Sequence, residues 1–289
     1  MLPDALRATL EQTLGTPLQS ATAVGGGCIA HATRLDTAAG RFFLKYGEAE
    51  VARTFPAEAR GLRALAAADA LVIPEVIAQD AATPERPGYL VLSWIEPGPK
   101  TEAFWTALGE GLAQLHRVTG AAYGDHPDNV IGRLPQANPS KDDWPAFFRT
   151  ARLAPQVQRA RANGRWQAAW DAPLDALYRR LPELLPFDPP PSRLHGDLWS
   201  GNVLATADGR AALIDPAVYH GHRAADVAMT ELFGGFEARF YEAYNAAWPL
   251  RDAYAQQRPI YNLYHLINHL NHFGTSYAAR VARILQRFE

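Results

Sequence analysis

Cysteine is almost absent from this sequence: 289 residues contain one, Cys28. A lone thiol closes no intrachain disulfide and cannot by itself hold zinc, so a disulfide scaffold and a cysteine-rich metal knuckle are both excluded, and the usage fits a reducing, cytoplasmic compartment. Net charge is nearly absent too. Lysine and arginine number 28 against 30 acidic residues, leaving -2. That is too little to gather nucleic acid or an anionic membrane by field alone, so any phosphate site has to be built locally. Long apolar runs are missing as well. The least polar stretch, Leu62 to Ile77, is broken by Arg63, Asp69, Pro74 and Glu75 and falls short of the roughly 20 apolar residues that a spanning helix needs. No basic segment leads into an apolar run at the start; Asp4, Arg7 and Glu11 at helical intervals mark an ordinary opening helix instead. There is no internal repeat and no low-complexity segment. With 48% apolar residues the chain can bury a full core, as one large domain or as two lobes around a cleft.

What is present changes character along the chain. Ala21 to Val24, the glycine run Gly25-Gly26-Gly27, and Ile29 to Leu35 read as strand, turn, strand. After a turn at Asp36 to Gly40, the bulky Phe42, Phe43 and Leu44 make Arg41 to Tyr46 a third strand, with Lys45 near its end. Phe55, Ala59, Leu62 and Leu65 recur at the period of an amphipathic helix over 55 to 68, with Pro56 suited to its first turn. Strands are expected around Leu71 to Gln79 and Gly88 to Trp94, before Glu96-Pro97-Gly98-Pro99 breaks the pattern. Helices follow over Glu102 to Val118, Trp144 to Asn163 and Gln167 to Leu185. Then come a short strand and loop at Arg193 to Leu204, a turn at Asp208-Gly209, a strand at Ala211 to Ile214, and mostly helix to the end. Strands gathered before helices give an α+β pattern with segregated elements. The expected division is residues 1–94, a small β-sheet lobe with one key helix, and residues 95–289, a large and mainly helical lobe.

The chemistry concentrates in His195-Gly196-Asp197-Leu198-Trp199-Ser200-Gly201-Asn202, followed at the end of the next strand by Asp215. Asn202 lies five residues after Asp197, and Asp215 thirteen beyond that. This is the spacing of a kinase catalytic loop and its metal-binding aspartate: one Asp accepts the proton of the acceptor hydroxyl, while an Asn and a second Asp hold Mg²⁺ on the phosphates. Phosphoryl transfer needs these residue types, because Mg²⁺ takes a few hard oxygen ligands and keeps the rest for water and phosphate. Lys45 is placed to pair with the phosphates of ATP, and Glu58 on the following helix is its expected partner. The glycine run permits close backbone approach to phosphate, but no Gly-Lys-Ser/Thr follows, so it is not a Walker A loop.

The long strings around these residues resemble the fructosamine kinase family throughout. They are Leu194 to Asn202, Asp215-Pro-Ala-Val-Tyr219, Gly221-His-Arg223, Asp226 to Phe236, Asn129 to Asn138, and Tyr264 to Asn271. Within the protein-kinase-like superfamily, aminoglycoside phosphotransferases share mainly the His-Gly-Asp…Asn pattern and the later Asp. The resemblance implies a protein-kinase-like bilobal fold and transfer of the ATP γ-phosphate to the 3-hydroxyl of a ketoamine on a lysine or small amine, leading to deglycation. It implies Asp197 as base, Asn202 and Asp215 as Mg²⁺ ligands, Lys45 as phosphate anchor, and Ser93-Trp94-Ile95 as the hinge touching adenine. Ser93 is a departure, since relatives often carry an acidic residue there. The alternatives are phosphotransfer to an aminoglycoside or another alcohol, and a nucleotide-binding pseudokinase, against which the intact Lys45, Asp197, Asn202 and Asp215 speak.

Further residues carry two readings each. Trp199 could stack on a sugar face or sit in the core. Asp226 could bond catalytic-loop amides or receive a cationic substrate amine. His222 and Arg223 could reach substrate or make local hydrogen bonds. His265, His269 and His272 share a helix face at a spacing that metal sites use, but packing is the preferred reading. Cys28 in the glycine loop could link two copies under oxidation; otherwise a monomer is expected, with no nucleic-acid or membrane partner.

Overall fold

The computed structural model describes residues 2–25 and 30–288. Gly26, Gly27 and Cys28 lie outside the described residues, and with them most of the glycine run and the expected redox contact. After helix α1 (Asp4–Leu14) come strands β1 (Leu18–Ala23), β2 (His31–Thr37) and β3 (Gly40–Gly47), the short helix α2 (Ala49–Ala52), α3 (Phe55–Ala66), β4 (Val76–Asp80) and β5 (Gly88–Ser93). The five strands form one antiparallel sheet in the order β1-β2-β3-β5-β4.

Alternation decides what each face of this sheet does. Phe42, Leu44 and Tyr46 of β3, with Tyr89 and Val91 of β5, point to Leu6 and Leu10 of α1. Leu90, Leu92 and Phe43 point the other way, to Ala52, Phe55, Ala59 and Leu62. Because both faces of β5 are covered, Tyr89 to Leu92 is an unbroken apolar run. The same alternation sends Lys45 to the α3 face. Phe55, Leu62 and Leu65 are each 1–2% exposed and contribute about 1.5–3 kcal/mol apiece by burial. That outweighs what a single ion pair adds, so the apolar stripe sets the position of α3 and Glu58 is carried to Lys45 as a result.

The remaining elements are α4 (Glu102–His116), the hairpin β6 (Asn129–Ile131) and β7 (Leu134–Gln136), α5 (Trp144–Phe147), a π-helical turn at Phe148–Leu153, α6 (Ala154–Ala162) and α7 (Asp171–Leu184). They continue as β8 (Ser192–Leu194), β9 (Val203–Ala205), β10 (Ala211–Leu213), β11 (Tyr219–Gly221), α8 (Ala224–Leu232), α9 (Ala238–Ala247), α10 (Tyr254–Phe273) and α11 (Ala278–Leu285). Among the described residues, no helix is long and apolar enough to cross a membrane. Two small antiparallel pairs, β8 with β11 and β9 with β10, bracket the loop that carries Asp197.

The expected strand at Leu71 to Gln79 divides in two. Only Val76–Asp80 joins the sheet, while Val72 bonds β10 instead, receiving Leu213 N and donating to Ala211 O at 3.0 Å each. The connector is stitched to the same hairpin, with Gly98 N on Ala205 O and Ala207 N on Glu96 O, both 2.8 Å. A Cβ on Gly98 would run into the Thr206 carbonyl, which is why glycine stands there. The β6–β7 hairpin and β11 were not apparent from pattern, being three residues each and held by distant contacts.

The π-helical turn places Arg152 fully inside, against the Tyr219 ring at 3.9 Å and the Phe147 ring at 4.7 Å. Its guanidinium donates to Ala137 O at 2.8 Å and Asn138 Oδ1 at 2.6 Å, tying the 127–138 insert to the helical half. Arg152→Met keeps most of the volume but strands those acceptors, and unfolding in denaturant should show a loss of about 2–4 kcal/mol. An unchanged midpoint would mean that the insert is held by something else.

Candidate active site

Lys45 reaches across the sheet's lower face to two carboxylates. Its Nζ donates to Glu58 Oε1 at 2.8 Å and also contacts Asp215 Oδ1. Burial alone would lower the ammonium's pKa, but the charges of Asp215 and Glu58 outweigh it and raise the pKa, so Lys45 stays a fixed cation. Sequence reasoning expected the Lys45–Glu58 pair; the structure adds Asp215, from the loop after β10, to the same point.

The loop after β8 turns at Gly196, whose φ of 84° and contact with the Ala217 carbonyl, where a Cβ would collide, both require glycine. Beneath it lies Asp226, near the start of α8. Its Oδ2 accepts His195 N at 2.6 Å and its Oδ1 accepts Gly196 N at 2.9 Å. Burial would raise this carboxyl's pKa, yet the His116 hydrogen bond and the Gly196 amide help to bring it below its ordinary value. Of the two readings of Asp226, the structure has the loop-holding one. Burial keeps His116 neutral; its Nε2 meets Asp226 at 3.2 Å and its Nδ1 meets the Tyr244 hydroxyl at 2.8 Å. His195 is also neutral. Its Nδ1 accepts Asp197 N at 3.3 Å and its Nε2 donates to Ile214 O at 2.9 Å, linking the catalytic loop to the Asp215 strand.

Asn202 is 4% exposed, and its amide nitrogen is spent on backbone: Nδ2 donates to Asp197 O at 2.8 Å and to Asp215 O at 3.4 Å. Its Oδ1 is the atom left without a hydrogen bond among the described residues. Asp215 holds a left-handed φ of 54°, a conformation uncommon for a non-glycine residue and one that turns its side chain toward Lys45. One amide oxygen and one carboxylate suit Mg²⁺, which keeps its other positions for water and phosphate oxygens. Among the described residues no group of three His, Cys, Asp or Glu forms a metal site.

Asp197 is pushed up to about 7, first by burial and then by the charges of Asp215 and Asp226, with Asn202 pulling the other way. Beside it Trp199 is 40% exposed, and the six-membered ring of its indole covers Gly201, where a Cβ would clash. The outer face of the indole is open, which separates Trp199 from an ordinary core tryptophan.

At the end of β5, Ser93 N donates to Glu75 O and Ser93 Oγ accepts Glu75 N, both 2.9 Å. Its amide is therefore committed to the sheet side, and Ser93 acts as a tie for the segment before β4. Trp94 lies against Phe43 at 6.4 Å and Arg34 at 5.8 Å, with its Nε1 on Glu96 at 3.1 Å. Ile95 follows between them and the connector. Gly25 is the one residue of the glycine run within the described part, just beyond β1.

His222 and Arg223 are engaged within the helical half. His222 bonds Tyr261 through Nδ1 at 2.6 Å. Arg223 donates to the Tyr244 hydroxyl at 2.9 Å, Trp248 O at 3.0 Å and Pro249 O at 2.5 Å, with the Trp248 ring at 4.1 Å. Neither has a hydrogen bond or ring contact with Asp197, Trp199, Asn202 or Asp215, and of their two readings the structure displays the local hydrogen bonds. The histidine face of α10 is likewise packed: His269 and His272 bond carbonyls one turn back, and His272 Nε2 accepts Arg133 N at 3.0 Å. Sequence reasoning missed the support under the loop. Tyr244 and His116 complete the Asp226 network, while Asn129 and Gln136 bond Val218 O at 2.7 Å and Ala217 O at 3.1 Å. The quoted string from Asn129 to Asn138 was the only available signal for the last two.

The sequence profile of the fructosamine kinase family matches residues 3–288. A protein of Synechocystis named as a ketoamine kinase is 38% identical over 283 residues, covering 96% of this chain and 94% of that one. An Arabidopsis thaliana protein named protein-ribulosamine 3-kinase, chloroplastic, is 32% identical over 96% of this chain and 85% of its own. A crystal structure described as a fructosamine-3-kinase of Thermobifida fusca superposes with a TM-score of 0.87 at 31% identity, covering 98% and 99% of the two chains. An aminoglycoside phosphotransferase solved with ADP and hygromycin B shares the fold, with a TM-score of 0.71 at 17% identity over 98% of each chain. The α+β architecture with a kinase-like arrangement is thereby established, and this chain belongs to the fructosamine kinase family.

Proposed function

We propose that this protein transfers the γ-phosphate of ATP to the 3-hydroxyl of a ketoamine, a sugar-derived adduct on a lysine or small amine, as a monomer in the cytoplasm. The observation that carries the reading is the convergence of Lys45, Asp197, Asn202 and Asp215 in one cleft beside an open tryptophan face, in a chain similar over its whole length to proteins named for ketoamine phosphorylation. The ADP in the aminoglycoside phosphotransferase complex supports nucleotide use by the shared fold. Its antibiotic substrate does not carry over, because that likeness reaches the fold alone.

Asp197 is the base. It takes the proton of the acceptor hydroxyl as that oxygen bonds to the γ-phosphorus and the bridging oxygen leaves with ADP. Lys45 steadies the phosphates through a charge that Glu58 holds in place. Asn202 Oδ1 and the Asp215 carboxylate would hold Mg²⁺, which when bound neutralises charge on the phosphate oxygens. Trp199 offers an apolar plane to the sugar. The phosphate is placed next to the C2 carbonyl: enolisation expels it from C3, and hydrolysis of the resulting imine frees the amine.

Three outcomes test this. Asp197→Asn should lower turnover by about two to four orders of magnitude on fructosyl- and ribulosyl-lysine, with mass spectrometry locating the wild-type phosphate on O3; equal turnover on aminoglycosides would favour the other acceptor class. The same variant should raise the melting temperature. Asp197 titrates higher in the folded chain than its ordinary 3.8, so its ionisation opposes folding from about pH 4 upward and fully above about 7. The gain should be a few degrees at pH 8 and smaller at pH 5; no gain at pH 8 would remove the buried charge from the argument. Trp199→Ala should raise KM for the ketoamine about tenfold while leaving KM for ATP within about twofold, as loss of one stacking contact predicts.

A further inference from the structure

Away from the nucleotide cleft, between the Pro186 to Ser192 run, the start of α8 and the connection from α9 to α10, lies a cavity of about 150 Å³. That is roughly the room taken by a benzene-sized body. None of Lys45, Asp197, Asn202 and Asp215 lines it, and among the described residues neither does any carboxylate. Of its polar lining residues, Ser192, His222, Arg223 and Tyr254 have hydrogen-bond partners, while Arg251 and Gln257 have none for their side chains among the described residues. Gln257 is 6% exposed, lines the cavity, and its side-chain amide has no hydrogen bond among the described residues. Arg251 lines the rim with a guanidinium that has neither hydrogen bond nor ion pair among the described residues.

His222 adds a third donor. The Tyr261 hydroxyl accepts Trp144 Nε1 at 3.2 Å and meets His222 Nδ1 at 2.6 Å; in the tautomer in which that hydroxyl donates to Nδ1, the imidazole proton sits on Nε2. Burial, then the charges of Arg223 and Arg251, pull this ring down to about 3, so it is neutral and sits in a positive field. Arg223 is engaged by its own three bonds and supplies charge rather than contacts. Trp248 and Tyr254 give the walls aromatic surface. Of the acidic groups nearby, Glu231 and Asp252 face the open groove on the far side of residues 250–254, Glu231 is taken by Tyr254 and Arg258, and Asp188, between Pro186 and Pro189, accepts the Tyr123 hydroxyl at 3.3 Å.

We propose that this cavity is a second binding site, for a small organic oxyanion: Arg251, Gln257 and the His222 Nε2–H receive the anionic group, and its compact body lies against Trp248 and Tyr254. Three donors in a positive field, with no acidic lining residue, select an anion over a cation or a neutral molecule.

The test is isothermal titration of phenyl phosphate into the full chain with the nucleotide cleft saturated by a non-hydrolysable ATP analogue and Mg²⁺. One saturable site is expected, with Arg251→Gln and Gln257→Leu each weakening it by about tenfold or more, the scale for losing a hydrogen bond to a charged group. Asp197→Asn should bind the probe like the wild type. Arg251 is exposed, so its variant should fold normally even if the Gln257 variant does not. The proposal fails if no saturable heat appears, if Arg251→Gln leaves affinity unchanged, if phenol binds as well as phenyl phosphate, or if Lys45→Met abolishes the signal and so places the probe in the nucleotide cleft.

Discussion

The loop that carries Asp197 hangs on one buried carboxylate. Asp226 accepts the amides of His195 and Gly196 with its two oxygens, and those residues immediately precede Asp197. A carboxylate so deep in the protein is tolerable only while its lone pairs are filled. His116 meets that need from α4, and Tyr244 from α9 holds His116 in turn. Arg223 then binds Tyr244 and the chain end of α9. The packing of α4 against α9 and the shape of the active-site loop are therefore one arrangement, because the same hydrogen bonds serve both.

Above that support the site balances charge. Asp197, Asp215 and Asp226 lie close enough for each of the other two to raise the pKa of Asp197, and Lys45 is the cation that touches Asp215. The consequence is a division of labour among like residues. Asp226, surrounded by donors, stays ionised and structural. Asp197, with fewer donors, is poised near neutrality where a base is useful. Asn202 contributes through geometry: its nitrogen is consumed by two backbone carbonyls, so its oxygen has one direction left.

Much of this was legible beforehand. The apolar stripe of α3, Phe55, Ala59, Leu62 and Leu65, was readable from period alone, and with strand alternation at Lys45 it made Glu58 the expected partner. Short elements were less readable. Three residues such as Tyr219 to Gly221 carry no periodicity, and Val72 follows β10 rather than the sheet because its hydrogen bonds are settled by a neighbour far along the chain. His222 and Arg223 stood in a telling string, yet their roles depend on Tyr244, Trp248 and Tyr261, which pattern could not place beside them.

The sequence by itself determined the family and the candidate residues: Lys45, Asp197, Asn202 and Asp215 stand out because phosphoryl transfer restricts both residue type and spacing. Tertiary structure decided which of the similar side chains does what. Two carboxylates such as Asp197 and Asp226 are chemically identical in a string of letters, and only neighbouring charges and the donors within reach separate the proposed base from a strut. Those quantities arise from contacts between distant segments, which local sequence does not encode.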